Sequence, residues 1–188
     1  MGAGGSPGDW SALETRVRSH LKRGEHDAAA RAAIERLNPA VLPYLCTRLA
    51  EADAEEALSI FQESVWKDLP RFRWECSLRA WGYRLAHHAS NRILRRPHRR
   101  REGRLPSSAA SRLPASMRVA SGRHEGLALL RASLPSDEQE LLTLRVDREL
   151  EWEEIAAVLD GNAPALRKRY ERLTRKLEQM AREQGLID

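Results

Sequence analysis

The sequence predicts an all-α protein made of two small helical domains. Three observations favour this class. The residues typical of strands (Val, Ile, Thr, Phe and Tyr) are sparse and never alternate over six residues, whereas the helix formers Leu, Ala, Arg and Glu dominate. Apolar residues recur at helical spacing in several segments. A stretch rich in Pro, Ser, Gly and Arg separates these segments into two groups, and 188 residues are enough for two small domains.

The helix signals at the start of the first group are weak. The Gly-rich residues 1–8 are predicted to be disordered. Helices are expected near 10–23 and 25–37, with Gly24 as the break between them. A third helix is expected over about 40–50, with Pro39 and Pro43 at its start, where proline is tolerated.

Two stronger helices follow. Over 53–69, Ala57, Leu58, Phe61 and Val65 form an apolar stripe, and Pro70 stops the helix. Residues 77–96 carry a second stripe, and we expect Ser77 to be its N-cap and Pro97 to end it. The members of that second stripe are Leu78, Trp81, Leu85, Ala89 and Ile93.

Residues 97–124 read PHRRREGRLPSSAASRLPASMRVASGRH and have no apolar period. This composition predicts a flexible basic linker. We therefore divide the chain into an N-terminal tail with the start of the first helix (1–19), a first domain (20–97), the linker (98–124) and a second domain (125–188).

The second domain carries clear helix-start signals. Ser136 and Gln139 fit a capping box that begins a helix bearing Leu141, Leu142 and Leu144. A short helix is expected over 152–159 and a basic helix over 163–183, separated by the turn Asp160–Asn162. Asn162 is the expected N-cap of the basic helix, with Pro164 in its first turn.

The charge pattern points to several partners. The net charge of +5 and a pI near 9.7 favour a polyanionic partner. Residues 50–69 carry six acids and one lysine, and residues 91–104 carry seven arginines and one acid. Residues 134–160 hold nine acids against two arginines, and residues 161–182 hold seven basic residues against two acids. We therefore expect differently charged surfaces at separate places.

Composition also excludes several classes. No apolar run approaches the ~20 residues that cross a bilayer, so we expect no membrane insertion. The N-terminus lacks a secretory pattern, and Cys46 and Cys76 are expected to be free thiols in the cytoplasm. We find no metal-ligand spacing, cofactor motif or catalytic constellation, and so expect neither metal nor cofactor and no enzyme activity.

The segment from Trp152 to Tyr170 fits a helix-turn-helix. Leu166, Tyr170 and Leu173 are expected to pack inward, which leaves the basic residues of the second helix outward for DNA. The expected DNA-contacting residues are Asn162, Arg167, Lys168, Arg169, Arg172 and Arg175. An ordinary three-helix bundle with a solvated basic face remains the alternative.

Two long stretches carry a family resemblance. DAEEALSIFQESVWKDLPRFRWECSLRAWGYRLAHHASNRILRR resembles region 2 of extracytoplasmic-function sigma factors of bacterial RNA polymerase. LPSDEQELLTLRVDRELEWEEIAAVLDGNAPALRKRYERLTRKL resembles their region 4. The resemblance covers about residues 20–180. It implies binding to core RNA polymerase through the β′ clamp helices and the β flap, recognition of a duplex −35 element and capture of a melted −10 strand.

The resemblance also implies residue roles. The acidic helix 53–69 would bind the Arg-rich clamp helices through Glu55, Glu56, Ser59, Gln62 and Glu63. Ser59-Ile60 stands where the family usually has a Gln-Glu pair, and Gln62-Glu63 follows three residues later, so either the contacting surface is altered or the pair is offset. Glu151 stands where the family favours Ser, which caps a helix better.

The −10 strand would be held by a loop and the helix after it. The residues implied near unpaired bases are Arg73, Trp74, Glu75, Ser77 and Trp81, and those nearer phosphates are Arg84, His88, Asn91, Arg92, Arg95 and Arg96. Trp81 also lies on the Leu78–Leu85 stripe, which favours a core position. The resemblance leaves open an anti-sigma partner. The alternatives are a stand-alone helix-turn-helix regulator and a helical protein adaptor.

Overall fold

The computed structural model describes residues 7–96 and 121–187, and these residues form helices and the turns between them. The helices are α1 (Pro7–Lys22), α2 (His26–Arg48), α3 (Glu51–Asp68), α4 (Leu78–Leu94), α5 (Ser121–Ser133), α6 (Ser136–Leu142), α7 (Trp152–Val158) and α8 (Ala163–Glu183). A 3-10 turn spans Leu69–Arg71 and a π-helical turn spans Thr143–Asp147. The predicted all-α class is confirmed. We call α1–α4 the N-terminal bundle and α5–α8 the C-terminal bundle.

Helix α2 runs without a break through Pro39 and Pro43, so the predicted boundary between residues 37 and 40 is wrong. Each proline removes one backbone donor and costs roughly 3 kcal/mol in a helix interior. The helix nevertheless continues because its buried side chains lie on both sides of the prolines: Leu37, Val41 and Tyr44 are fully buried. Tertiary packing has overridden local propensity.

Helix α1 has a structural role that the sequence did not reveal. It begins at Pro7, so the disorder predicted for residues 7 and 8 is wrong, and residues 1–6 lie outside the described residues. Trp10, Leu13 and Val17 are buried. The Glu14 carboxylate accepts a hydrogen bond from the backbone nitrogen of Leu78 at 2.7 Å, so α1 caps the start of α4.

Two predictions at the start of the C-terminal bundle need correction. The linker prediction falls mostly outside the described residues, but residues 121–124 belong to α5. The capping box at Ser136 is wrong, because Pro135 occupies the N-cap and no side-chain cap bond forms. The Gln139 amide instead donates to the carbonyl oxygens of Ala132 and Leu134, at 3.1 and 2.8 Å, and ties α6 to the end of α5.

The two bundles share one apolar core. Buried residues of the N-terminal bundle, such as Phe61 and Ile93, belong to the same cluster as Leu144 and Ile155 of the C-terminal bundle, and α4 packs against α7. A smaller cluster joins Leu134, Leu142 and Leu173. Within the described ranges, no helix is both long and apolar enough to cross a membrane.

Candidate nucleic-acid interface

The helix-turn-helix is formed by α7, the four-residue turn 159–162 and α8. Asp160 adopts a left-handed conformation with φ of 49°, and the next backbone nitrogen, that of Gly161, donates to the Ala156 carbonyl at 2.9 Å. The Asn162 side chain accepts from the backbone nitrogen of Ala165 at 3.1 Å, so the predicted N-cap is confirmed. The turn is therefore held by its own backbone and by a side-chain cap.

The inward face of α8 follows the predicted spacing. Leu166 and Leu173 are 9% and 2% exposed, and Tyr170 is half-buried. The Tyr170 ring meets the Trp152 ring edge-on, with centroids 5.4 Å apart. These contacts fix the orientation of α8 against α7, so the opposite face of α8 must be the solvent-facing one.

That solvent-facing side is strongly basic. Arg167, Lys168, Arg172 and Arg175 are all exposed, and so is the Asn162 cap at the start of the helix. The Arg167 guanidinium also lies 5.8 Å from the centroid of the Trp152 ring. Four cations on one side of an exposed helix can contact the phosphates and base edges of a DNA groove.

Arg169 is placed differently from the other predicted DNA contacts. Its guanidinium forms an ion pair with Asp137 of α6, and this bond holds the pKa of Asp137 below its ordinary value. A second pair, Lys176 with Glu138, joins the same two helices at 3.1 Å. Arg169 therefore links α8 to α6, and it is less exposed than the other four cations of α8.

The loop before α4 exposes charged residues around a partly covered tryptophan. Arg73 and Glu75 are exposed, with side chains 84% and 76% accessible. Trp74 has a φ of 61°, a conformation that a bulky residue adopts only when its surroundings impose it. Its ring lies 4.7 Å from the Phe72 ring, and the Arg18 guanidinium of α1 stacks 3.9 Å from its centroid.

Arg18 was missed by sequence reasoning. No motif marks it, because its proximity to Trp74 depends on how α1 packs across the bundle. Trp81 is only 3% exposed and stacks on Phe72, with centroids 4.8 Å apart and planes 25° apart. Its implied contact with unpaired bases is not supported, because its face is already covered within the core.

Two of the residues implied for the −10 strand contact the C-terminal bundle. Ser77 caps α4 by accepting from Ala80, and its hydroxyl also donates to the Glu154 carboxylate of α7. His88 contacts Asp160 of the helix-turn-helix turn at 3.1 Å.

The remaining residues of that set lie along α4 and at its end. Arg92 and Arg95 are exposed, Arg84 is half-buried, and Arg96 pairs with Glu56 of α3 at 2.6 Å. The face of α4 that the resemblance implies for DNA is thus divided. Its C-terminal end is open to solvent, whereas Ser77 and His88 are occupied by carboxylates of the other bundle.

A buried polar cluster lies where α6 meets α2 and α4. The Glu140 carboxylate is 4% exposed and accepts from the Tyr44 hydroxyl. It also lies 2.8 Å from His87 Nδ1 and 3.3 Å from Arg48 Nη1. Arg48 in turn donates to the Asn91 side-chain oxygen at 2.8 Å.

The contacts of the cluster explain the pKa shifts of its members. Asn91 Nδ2 lies 2.8 Å from His87 Nε2, and His87 Nδ1 lies 2.8 Å from Glu140 and 3.1 Å from Arg48 Nη1. Burial raises the pKa of Glu140, but the His87 bond and the Arg48 charge outweigh it, and the pKa lies below its ordinary 4.5. Burial and the Glu140 charge raise the pKa of Tyr44 well above 10.

The residues implied for polymerase binding lie on one exposed side of α3. Glu55, Glu56, Ser59 and Glu63 are exposed, and Gln62 is half-buried. Trp66 is 41% exposed on the same helix. In the offset Gln62-Glu63 pair, Glu63 is therefore accessible and Gln62 partly so. The contact of this pair with polymerase stays a prediction.

The described residues contain no group of three or more His, Cys, Asp or Glu side chains that could hold a metal ion. Cys46 and Cys76 are free thiols, and burial raises the pKa of both. What the arrangement offers is charge and stacking surface.

Comparisons with known proteins extend this description. No protein-family model and no curated protein matches the chain. A solved structure does: the sigma factor RpoE from Bartonella quintana, crystallised with the anti-sigma factor NepR. The match has a TM-score of 0.62 and 17% sequence identity, and it covers 78% of this chain and 92% of that one. The chain therefore has the fold of that sigma factor.

Proposed function

We propose that this chain is a sigma factor of the small, extracytoplasmic-function kind, which directs RNA polymerase to specific promoters. One observation carries the proposal. A capped helix-turn-helix presents four exposed cations on α8, within a chain that has the fold of a sigma factor along most of its length. Polymerase would perform the chemistry, and this chain would supply recognition.

Recognition of the −35 duplex would use α8. In a helix-turn-helix the N-terminal residues of the second helix reach base edges, and later residues contact phosphates. Arg167 and Lys168 stand in the first two turns of α8, so they would read bases. Arg172 and Arg175 lie one to two turns further along and would hold the phosphate backbone.

Binding to core polymerase would use the exposed acids of α3. Glu55, Ser59 and Glu63 follow one another at four-residue spacing, which aligns them on one side of the helix. Charge complementarity with the Arg-rich β′ clamp helices would favour fast, salt-sensitive association. The half-exposed Trp66 offers an apolar anchor in the same helix.

Capture of the melted −10 strand would use the loop 72–77 and α4. Trp74 is half-buried with Arg18 over its ring, so a base would stack on it only by displacing Arg18, and Arg73, Arg92 and Arg95 are exposed cations beside it or along the following helix. Trp81 is left out of this role because it is buried. The structural neighbour was crystallised with an anti-sigma factor, which supports the proposal that a protein of that kind also binds this chain.

Promoter-dependent transcription tests the proposal. Purified protein would be mixed with bacterial core polymerase and a template library of random upstream sequence, and the transcribed templates would be sequenced. The expected result is transcripts that share two upstream elements. The variant Arg172→Ala with Arg175→Ala should lose them, whereas Arg182→Ala, an exposed arginine near the end of α8, should retain them.

Two other outcomes would contradict the proposal in distinct ways. Sequence-specific binding to duplex DNA without any change in polymerase output would identify a stand-alone regulator. Absence of both DNA binding and polymerase binding would favour a protein adaptor that uses its charged faces for other contacts.

A further inference from the structure

Three arginines from different parts of the chain converge around Trp10 and Tyr83. The guanidinium of Arg36 in α2 lies 4.4 Å from the centroid of the Trp10 ring, and that of Arg79 in α4 lies 5.6 Å from it. The Arg79 guanidinium also donates to the backbone carbonyl of Arg148, which follows the π-helical turn of the C-terminal bundle. Two helices of one bundle and a turn of the other therefore bring three cations together.

The charges of these arginines act together on the Tyr83 hydroxyl. Burial raises the pKa of Tyr83 above its ordinary value, although the charges of Arg148, Arg79 and Arg36 lower it. All three guanidinium groups therefore lie close enough to influence one buried hydroxyl. Positive charges at such close range repel one another, and an anion bound between them would relieve that repulsion.

Two buried donors of this group have no acceptor in the described part of the chain. They are Arg79 Nε and Arg148 Nε. Neither arginine forms an ion pair with a carboxylate of the described residues. A buried donor without an acceptor costs free energy, so this place favours a ligand that supplies acceptor oxygens.

We propose that Arg36, Arg79 and Arg148 form a binding site for a small phosphate-type anion. A phosphate group carries about two negative charges and several acceptor oxygens. The Nε and Nη donors of one arginine can bind two of those oxygens at once, which an ammonium group cannot do. Because the anion would contact residues of both bundles, its binding would stabilise the contact between them.

This site is separate from the surface of α4 that we assign to DNA. Arg79 precedes His88 by nine residues, or about two and a half helical turns, so the two side chains lie on opposite faces of α4. Arg36 borders a surface cleft of about 220 Å³, whose other lining residues are Ala12, Leu13 and Arg16. A small free anion can enter such a cleft, and the inference does not depend on the proposed function.

Nuclear magnetic resonance of the arginine side chains tests the site directly. The full chain with isotope-labelled arginine would be titrated with sodium phosphate at neutral pH and constant ionic strength, with sodium chloride as the reference. The Nε–H resonances of the two buried donors would be assigned from the variants Arg79→Lys and Arg148→Lys. Both resonances should shift progressively with phosphate and then saturate, whereas chloride should leave them unchanged.

Thermal unfolding gives a second readout with a matched control. Phosphate at about twenty times its dissociation constant should raise the Tm of the native chain by about 4–7 °C relative to chloride. Arg148→Gln removes one charge but keeps the backbone carbonyl that accepts from Arg79, so it should remove most of this rise without unfolding the chain. Arg31→Gln makes the same charge change at an exposed position of α2 and should keep the rise.

Three results would overturn the proposal. The first is no rise in Tm, or a rise that is equal in the native chain, Arg148→Gln and Arg31→Gln, which would show only general attraction of phosphate to a basic protein. The second is no response of the two Nε–H resonances to phosphate, which would mean that water satisfies these donors. The third is a shift of both resonances with a single-stranded oligonucleotide at the same phosphate concentration, which would assign the site to DNA.

Discussion

Two surfaces of this molecule carry the residue types that bind nucleic acids, and they differ in accessibility. On α8, Arg167, Lys168, Arg172 and Arg175 face solvent. On α4, His87 and His88 contact Glu140 and Asp160 of the other bundle, and the N-cap Ser77 donates to Glu154. The same side-chain chemistry is therefore displayed on α8 and partly covered on α4, where Arg92 remains exposed.

This difference shows that the charge of a surface and its exposure to solvent are separate properties. The acids of residues 134–160 balance the bases of α8 in the sequence, but in the structure several of them contact α4.

The largest effect is expected at the buried ion pair between the bundles. Glu140→Ala leaves Arg48 with no counter-charge in a dry site, which typically costs about 3–5 kcal/mol. Urea unfolding followed by circular dichroism should show that loss, while Glu153→Ala on the exposed side of α7 should change little. A loss below about 1 kcal/mol for Glu140→Ala would mean that the pair does not stabilise the contact between the bundles.

The next largest effect concerns the buried side of α8, which packs beneath its exposed cations. Leu166 is buried and lies beside Gly161 of the turn, so Leu166→Ala should cost about 2–4 kcal/mol of stability. Leu129, which is 68% exposed on α5, is the matched control and should change stability by less than about 0.5 kcal/mol. Similar losses at both positions would contradict the inward face assigned to α8.

Variants near the start of α8 should lose affinity mainly for the cognate sequence, whereas variants further along α8 should lose affinity for any DNA. Arg167→Ala or Lys168→Ala should cost about 1–3 kcal/mol on the cognate −35 sequence and much less on scrambled DNA. Arg172→Ala or Arg175→Ala should weaken both DNAs equally and reduce the salt slope by about one unit each. Binding titrations on both DNAs across a salt series distinguish the two classes. Four variants with equal losses on both DNAs would leave α8 with a purely electrostatic role.

The smallest effect is a pH dependence at Glu140. Its pKa is lowered in the folded protein, so its stabilisation is complete above its unfolded value of about 4.5 and is lost as pH falls through the lower folded pKa. The groups that face it are Tyr44 and Arg48 of α2 and His87 of α4. The gap in unfolding free energy between the native protein and Glu140→Gln should narrow from pH 5 to pH 3. A constant or widening gap would contradict the assigned hydrogen bonds.

The sequence predicted the elements better than the contacts between them. The caps at Ser77 and Asn162 were predictable because they depend on residues three positions apart. The continuity of α2 through Pro39 was not, because burial on distant helices sustains it. Short-range sequence patterns predict where a helix begins or ends, whereas long-range packing decides whether a helix continues through a proline.

The candidate site was predictable to a similar extent. The outward cations of α8 follow from helical period, but the pairing of Arg169 with Asp137 depends on how α6 meets α8. Trp81 fits both a core stripe and an implied base contact, and only packing against Phe72 decides for the core. Arg18 and Glu140 carry no motif, since their partners lie far away in the chain.

Photocrosslinking tests most directly the claim that the exposed cations of α8 contact duplex DNA and that α4 contacts the melted strand in the polymerase complex. A photoreactive phenylalanine analogue would be placed at position 168 of α8 or at position 88 of α4 and exposed to promoter DNA with and without core polymerase. The account predicts that position 168 crosslinks to duplex DNA in both cases, and that position 88 crosslinks to the melted strand only when polymerase is present. Equal crosslinking from position 88 without polymerase, or none from either position with it, would contradict the account.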